Sequence, residues 1–538
     1  MAQPQKNIQI QAPGFAGLNT QDSPIGMDLS FAEIADNCVI DSLGRIASRN
    51  GFRAFTADPE TSGNMGTNPV ETAYEYVEEN GNRTILMAGD NTSDTPALWS
   101  QDTSGNLTTI TGLSASGNMW DYTSLGSLCY MAQEGEDVMV TDGATVSAMT
   151  QQPSAFTTGG ITDPNIITTG FGRLFVASGT SNKSTVQWSV VIGASGLGAT
   201  PWTGTGAGAI NVDEYWPNGT DTIEAITVHN SYLVIFGRRS ILLYSIPDSG
   251  TNQGPEYMTL ADTIENMGCI ARDSVTSIGT DVLFLDASGI RSLNRTIQEK
   301  SVPVGDISKN VRDQLSTDVR GIELPISAVY SPEEAMYLLM LPKVVNGIAS
   351  CNIYVFDTRR PLEGGALRVT QWNAGDLRCA VRADTGKLFL CGRGGANEYT
   401  RGEDTSSIDG DVASKGIIMN YRTRSQDFDA PSRVKFPKKV DVILVGGETL
   451  DLTVSWFFDF SQAANSTNIS RESEGGGNWA SGVWGVASYG TPGGIISSNG
   501  IQMWGNGKNI QLGFAGEITG EPVSIQELNM KALIGRTL

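Results

Sequence analysis

Seven short runs of consecutive apolar residues punctuate the middle of the chain. They begin near Ile85 (ILMAG), Leu128 (LCYMA), Leu174 (LFVAS), Tyr232 (YLVIF), Val282 (VLFLD), Met336 (MYLLML) and Leu388 (LFLC), at steps of 43, 46, 58, 50, 54 and 52 residues. Each run is flanked by a turn signal, and a second strand-like segment usually follows, as at 138–141, 186–190, 241–246, 290–294 and 398–400. A strand that is apolar at consecutive positions must be covered on both faces. Leaving such side chains half exposed forfeits roughly 1.5–3 kcal/mol each. The inner strands of propeller blades meet that condition, because each blade packs face to face between two others. A period near 50 in a strand-rich chain therefore predicts a β-propeller of six to eight blades. Sandwich-core strands without radial order are the plainer alternative.

The pattern changes near residue 415. Leu450, Leu452, Val454 and Trp456 alternate with polar residues, as do Ile510 and Leu512. Val523, Ile525, Leu528 and Met530 alternate with a one-residue slip, the mark of a bulge. Alternation predicts strands with one buried and one solvated face, hence a β-sandwich. The expected organisation is an N-terminal platform segment over 1–70 with a short helix and a hairpin, a propeller over 71–414, and a C-terminal sandwich over 415–538. The Gly- and Ser-rich stretch 472–500 reads as a protruding loop. It carries Trp479 and Trp484, with Trp504 just beyond. Tryptophans are enriched at contact hot spots, so these three are candidate partner contacts, against the plain reading of a flexible loop. Helix signals are few. Ser30-Phe31-Ala32-Glu33 fits a capping box opening a short helix. Asp306 is placed to cap another, with Ile307, Val311 and Leu315 on one face.

Composition supports an all-β chain and removes several functions. Gly is abundant at 63 of 538 residues, and charged residues make up only 17%. The net charge is −22, from 36 basic and 58 acidic residues. Solubility is its plain explanation. Such a chain is poorly suited to gripping nucleic acid or an anionic membrane surface, both of which reward Lys and Arg. The six cysteines, at 38, 129, 269, 351, 379 and 391, form no Cys-x-x-Cys pair and read as buried thiols. The single histidine, His229, borders an apolar run and reads as a turn residue. Residues 1–14 lack the apolar core of a signal peptide, and no stretch approaches the ~18 apolar residues of a membrane span. Folding or assembly in a cytosol is the expectation.

Residues 37–52, NCVIDSLGRIASRNGF, read as strand, tight turn at 41–44, strand, and a second turn at Asn50-Gly51. Gly44 would supply a positive φ, and the Asp41 carboxylate would bond the turn backbone. With Gly17-Leu18-Asn19 and Ala35-Asp36-Asn37 upstream, and Asp41, Gly44, Arg49 and Gly51 within it, this block resembles the N-terminal signature of phage tail nozzle proteins. These are also called tail tubular protein B, and related tail hub proteins share the pattern. Segments such as 186–189, 233–244 and 268–290, and the C-terminal Gly535-Arg536-Thr537-Leu538, fit the same resemblance. It spans most of the chain but is diffuse, and 472–500 has no counterpart in it. The resemblance implies a virion protein of a short tail, assembled in the host cytoplasm as a homohexameric ring below the portal and adaptor proteins. Such a ring continues the tube for genome ejection without sequence-specific DNA binding, and it helps hold fibres or spikes. Acidic groups facing the lumen would then keep DNA from adhering to the wall.

Chemistry competes weakly with that expectation. A propeller can be a glycosidase, which makes a receptor-binding or glycan-cleaving tailspike the alternative function, and an unrelated scaffold for protein partners a third. The adjacent acids Glu78-Glu79, Glu134 with Glu136-Asp137, Glu333-Glu334 and Asp427 with Asp429 sit among turn residues, and spacing alone sets no pair at the ~5–9 Å that hydrolysis needs. Asp409-Gly410-Asp411 lacks the rest of a calcium loop. The glycine-rich 193–208 lacks the Lys-Ser/Thr of a nucleotide cradle. No catalytic residue, metal ligand or cofactor is expected.

Overall fold

The computed structural model describes residues 5–535, apart from 58–63, 79, 194–195, 248–253, 300–305, 401–415, 448, 462, 472–495 and 520–521. The chain is all-β, a propeller joined to a sandwich. Among the described residues the propeller has seven blades. Blade 1 runs Val70–Val77, Arg83–Asp90, Pro96–Gln101 and Leu107–Ile110. Blade 2 begins at Asp121–Leu125, blade 3 at Pro164–Gly170 and blade 4 at Ile223–His229, each four-stranded. Blade 5 has three strands, Thr276–Ser277, Val282–Asp286 and Gly289–Ser292, followed by the helix Leu293–Glu299. Blade 6 comprises Ser327–Ser331, Met336–Val345, Ile348–Asp357 and Arg368–Ala374. Blade 7 takes Leu377–Arg382, Leu388–Gly392 and Gly395–Thr400 from late in the chain and its outermost strand, Gly51–Ala54, from near the beginning. The innermost strands, with the short 3-10 turn Arg272–Ser274 leading into blade 5, abut in a closed circuit that returns from blade 7 to blade 1.

All seven apolar runs are second strands of blades, and their side chains alternate between two cores. In blade 1, Leu86 and Ala88 enter the core shared with blade 2, beside Trp120, Cys129 and Met131. Ile85 and Met87 enter the core shared with blade 7, beside Cys379, Phe389 and Cys391. Blade 4 repeats the arrangement, with Leu233 and Ile235 toward blade 3 and Val234 and Phe236 toward blade 5. Consecutive apolar residues are thus each buried, on opposite faces of one strand. All six cysteines are buried and unpaired.

The sandwich draws on both ends of the chain. One sheet runs Ile496–Gln502, Lys435–Gly446, Val523–Ile534, Ile46–Ser48, Cys38–Ile40, with Gln5–Gln11 along Val523–Ile534. Its partner contains Gly17–Leu18, Phe31–Asp36, Ile417–Thr423, Ile510–Thr519, Thr449–Phe458 and Ala464–Arg471. Val440, Val442 and Leu444 meet Leu452, Val454, Trp456 and Phe514 between them. The expected slip in the last strand is present, since Ile443 faces Glu527 while Leu444 faces Ile525. The second sheet does not stop at the sandwich. Gly17–Leu18 pairs in parallel with Arg368–Ala374, so blade 6 and the sandwich share one ten-stranded sheet.

Three expectations need correction. Residues 30–33 do not open a helix. Phe31–Asp36 is a strand, paired with Gly17–Leu18 on one side and Ile417–Thr423 on the other. Ser30 bonds the Asp28 carboxylate, and Glu33 receives the Gln511 amide, so both halves of the apparent capping box serve other partners. Asp306 caps no helix. Its buried carboxylate holds Ser308 and Arg312, and the helix Arg312–Arg320 begins later, although Ile307, Val311 and Leu315 do share one core. Residues 496–500, expected within the protruding loop, belong to a strand paired with Lys435–Gly446. The rest of that loop, 472–495, lies outside the described residues.

Gly17 adopts φ +82°, and a Cβ there would come 2.3 Å from the Val369 carbonyl oxygen. Gly81 has a similar φ of +86° with open space around it. Gly17→Ala is therefore expected to cost about 2–4 kcal/mol in denaturant unfolding, and Gly81→Ala only about 1 kcal/mol. Equal losses would mean that the shared sheet tolerates separation at Gly17.

Candidate functional site

Two places concentrate buried polar chemistry. The first is the joint between sandwich and propeller, around the block 17–52. Strand Phe31–Asp36 ends at Asn37, whose φ of 51° turns the chain out of one sandwich sheet into the other. Asn tolerates this left-handed conformation better than most residues. Its side-chain amide then serves as the next rung on both sides. Nδ2 donates to the Ile418 carbonyl at 2.9 Å, and Oδ1 accepts from the Asn373 N–H at 3.2 Å. The same Oδ1 accepts from Arg49 Nε at 3.0 Å. Arg49 is buried, donates to the Asn50 carbonyl at 2.8 Å, and lies 4.3 Å over the Phe52 ring. Phe52 packs against Trp372 and Tyr399, which stack at 5.1 Å, and the Trp372 indole donates to the Cys38 carbonyl. Asp41 accepts from Leu43 N, Arg45 N and Arg45 Nε, and from Ser524 Oγ in the last strand. Gly44 has φ +75° and no room for a Cβ, which would meet Pro13 at 2.7 Å. Asn19 is buried and caps its own turn through Gln21 N and Asp22 N. Gly51 opens the strand that completes blade 7. Together with Gly17, these six positions hold chain geometry together rather than presenting reactive groups.

The second place is the upper face of the propeller, where the innermost strands begin. Arg272, in the turn leading to blade 5, donates to the Asn165 carbonyl of blade 3 at 2.7 Å and to the Met119 and Trp120 carbonyls before blade 2 at 3.4 and 3.5 Å. Blades 5 and 2 are not neighbours, so this side chain spans the axis. Asp273 receives it through two bonds, at 2.7 and 3.1 Å. Burial opposes the charge on Arg272, but Asp273 and Asp121 outweigh it and hold the guanidinium above its ordinary range. Burial also pushes the Asp121 carboxyl up to about 6, against the pull of Arg272. Above this plug opens a cleft of about 1100 Å³, continuing into a hollow of about 460 Å³; Arg238, Arg239 and Arg320 line both. In the sequence Arg272 stands out only as part of the blade-like segment 268–290, with no role attached to it, because it is an isolated cation before a two-residue strand.

Several of the acids considered for glycosidic chemistry are engaged with other partners. Glu134 pairs with Lys183, Glu136 caps Ser116, Glu333 pairs with Arg382, and Asp429 pairs with Lys6. Glu79 and 409–411 lie outside the described residues. Among the described residues, no cluster of His, Cys, Asp and Glu is placed to hold a metal ion, and no helix is long and apolar enough to cross a membrane. Of the candidate contact tryptophans, Trp504 is 55% exposed, stands edge-on to Trp456 at 4.6 Å, and donates to Asn465. Trp479 and Trp484 lie outside the described residues.

No known family's sequence profile matches the chain, and no curated protein sequence matches it. Among solved structures it is similar to an exo-β-1,3-galactanase from Phanerochaete chrysosporium in complex with β-1,3-galactotriose. That match has 10% identity and a TM-score of 0.25, over 86% of this chain and 100% of the other. It is also similar to the extracellular domain of a putative hybrid two-component system from B. thetaiotaomicron. There the identity is 10% and the TM-score 0.32, over 68% of this chain and 50% of the other. Neither likeness bears on what this chain does.

Two outcomes follow from this geometry. Asn37→Ala strands three polar partners and strains the backbone, so unfolding should be easier by about 3–5 kcal/mol, and Arg49→Lys should not preserve full stability, because a single ammonium cannot replace the fork. Wild-type stability retained in Arg49→Lys would refute that role for the guanidinium. The second outcome concerns Asp121, which holds its proton more tightly folded than unfolded. Its contribution is therefore greatest at low pH and is lost as pH rises from about 4 through about 6. Asp121→Asn should remove that slope, read as the difference in melting temperature between wild type and variant across this range. Parallel profiles would contradict the assignment.

Proposed function

We propose that the chain is a non-enzymatic structural component of a short bacteriophage tail. In this reading six copies form a nozzle ring below the portal and adaptor, conduct DNA during ejection, and support fibres or spikes. The observation that carries the reading is the use made of the signature residues. Gly17, Asn19, Asn37, Asp41, Gly44, Arg49 and Gly51 are all joints of the fold, and Asn37 and Arg49 are the buried clasp between its two parts. A signature of joints fits a family defined by a shared scaffold rather than by a shared reaction.

Two further features support it. The carboxylates that could serve glycan hydrolysis are engaged in separate ion pairs and turns. The long hairpin of blade 6 ends in apolar residues, with Val344 and Val345 about half exposed and Ile348 72% exposed around the turn Asn346-Gly347. Aliphatic side chains grouped at a hairpin tip suit burial against a second copy in a ring. With 58 acidic against 36 basic residues per copy, the assembled wall would repel DNA rather than hold it.

Light scattering after size exclusion should give a particle of six times the 57.2 kDa chain, and negative-stain images should give a six-fold ring. Val345→Asp combined with Ile348→Asp should release monomers that keep the wild-type circular dichroism spectrum, with a melting temperature lowered by the loss of assembly. A trimer that depolymerises a surface glycan would overturn the reading in favour of a tailspike.

A further inference from the structure

The cleft on the upper face has no part in the ring reading, and its chemistry runs against that of the chain. Together the cleft and its side hollow are lined by five arginines and four carboxylates, in a protein with 58 acidic and 36 basic residues. The carboxylates are already engaged. Asp273 takes the fork of Arg272, Glu134 takes Lys183, Asp286 accepts from Gly268 N and Ser288 N, and Asp313 accepts from Gln21. Three guanidinium groups are far less committed. Arg238 reaches Glu224 only at 3.6 Å, Arg239 makes one long bond to the Thr220 carbonyl at 3.4 Å, and Arg320 has no hydrogen-bond or ion-pair partner among the described residues. Arg238 and Arg239 form the turn between the second and third strands of blade 4, while Arg320 ends the helix Arg312–Arg320 on the opposite wall. Two cationic elements therefore face one hollow from two sides.

Part of the remaining wall is aliphatic, and Ser116, Gln133, Asn165 and Ser316 make another part of it polar. Val319, Ile322, Leu324, Pro325 and Ile326 form the aliphatic part, and among the described residues no aromatic ring lines the cleft. Sugars and nucleobases are held largely by stacking on aromatic faces, which this cleft does not offer. Arginine clusters are instead suited to carboxylates and acidic motifs, which the planar fork grips through paired bonds. The volume, about 1100 Å³ before the side hollow is added, exceeds the roughly 300–1,000 Å³ of ordinary small-molecule pockets.

We propose that this cleft captures an extended acidic peptide segment of another protein, with carboxylates on Arg238, Arg239 and Arg320 and aliphatic side chains against 319–326. The binding face is independent of the tail reading, so failure of either leaves the other standing. The probe is a fluorescein-labelled peptide of alternating glutamate and leucine, followed by fluorescence anisotropy with the full-length protein at about 50 mM salt. Saturable binding is expected. It should weaken about tenfold or more in Arg320→Glu and in the double variant Arg238→Ala with Arg239→Ala, and should fall as salt rises. Arg320→Gln, which keeps the length and drops the charge, should weaken it in the same direction and guards against a misfolded charge reversal. An alternating glutamine and leucine peptide should not compete. Absence of saturable binding, or equal binding by wild type and Arg320→Gln, would overturn the proposal. So would displacement of the probe by a sulfated tetrasaccharide at lower concentration than by unlabelled peptide, which would assign the cleft to an acidic glycan.

Discussion

The chain closes its propeller with a strand from its own beginning, and that strand is held by Arg49 against Asn37. Everything else depends on this closure. A ring of blades needs its last blade completed, or one sheet edge stays open and the first and last blades part. Here Gly51–Ala54 completes blade 7, so the peptide before it must leave the sandwich at a fixed point. Asn37 sets that point by replacing a rung between two strands, and Arg49 ties the exit to the aromatic group of Phe52, Trp372 and Tyr399. The ten-stranded sheet that runs from blade 6 into the sandwich is a second tie. Propeller and sandwich are therefore parts of one covalently crossed structure rather than beads on a linker.

The same economy of buried charge governs the propeller axis. Arg272, from the turn before blade 5, fills the space among the innermost strands with bonds to blade 3 and to the residues leading into blade 2. Unpaired, such a group would be very costly to bury, and with Asp273 and Asp121 beside it the charge is compensated. Arg272 and Asp273 form part of the lining of the cleft. Among the described residues, exposed side chains that could meet a partner include the arginines on that face, the apolar hairpin tip of blade 6 and Trp504.

Much of the fold was legible in the sequence because its strongest signal is local. A run such as Leu174 to Ser178 must be a doubly covered strand wherever it lies, and each of the seven runs is one. The alternation in 450–456 likewise read correctly as a sandwich strand. Non-local pairing was not legible. Nothing near Gly51 announces a partner at Thr400, and nothing near Asn37 announces Asn373, 336 positions away. At 30–33 a capping-box pattern was overruled by strands on both sides, since local propensity is weak against two-sided pairing. Blade 5 blurred the count, because its innermost strand is only Thr276–Ser277 and a helix follows its third strand. Of the signature positions, Asp41 and Gly44 could be understood from their turn alone, whereas Asn37 and Arg49 acquire their meaning only from strands brought in by the fold.

The interdependence of propeller and sandwich is the central claim, and scanning calorimetry of the intact chain tests it most directly. Clasped through Asn37 and Arg49 and fused through one sheet, the two parts should melt in a single endotherm whose calorimetric and van't Hoff enthalpies agree. Two resolved endotherms, with the sandwich lost while the seven blades persist, would contradict it.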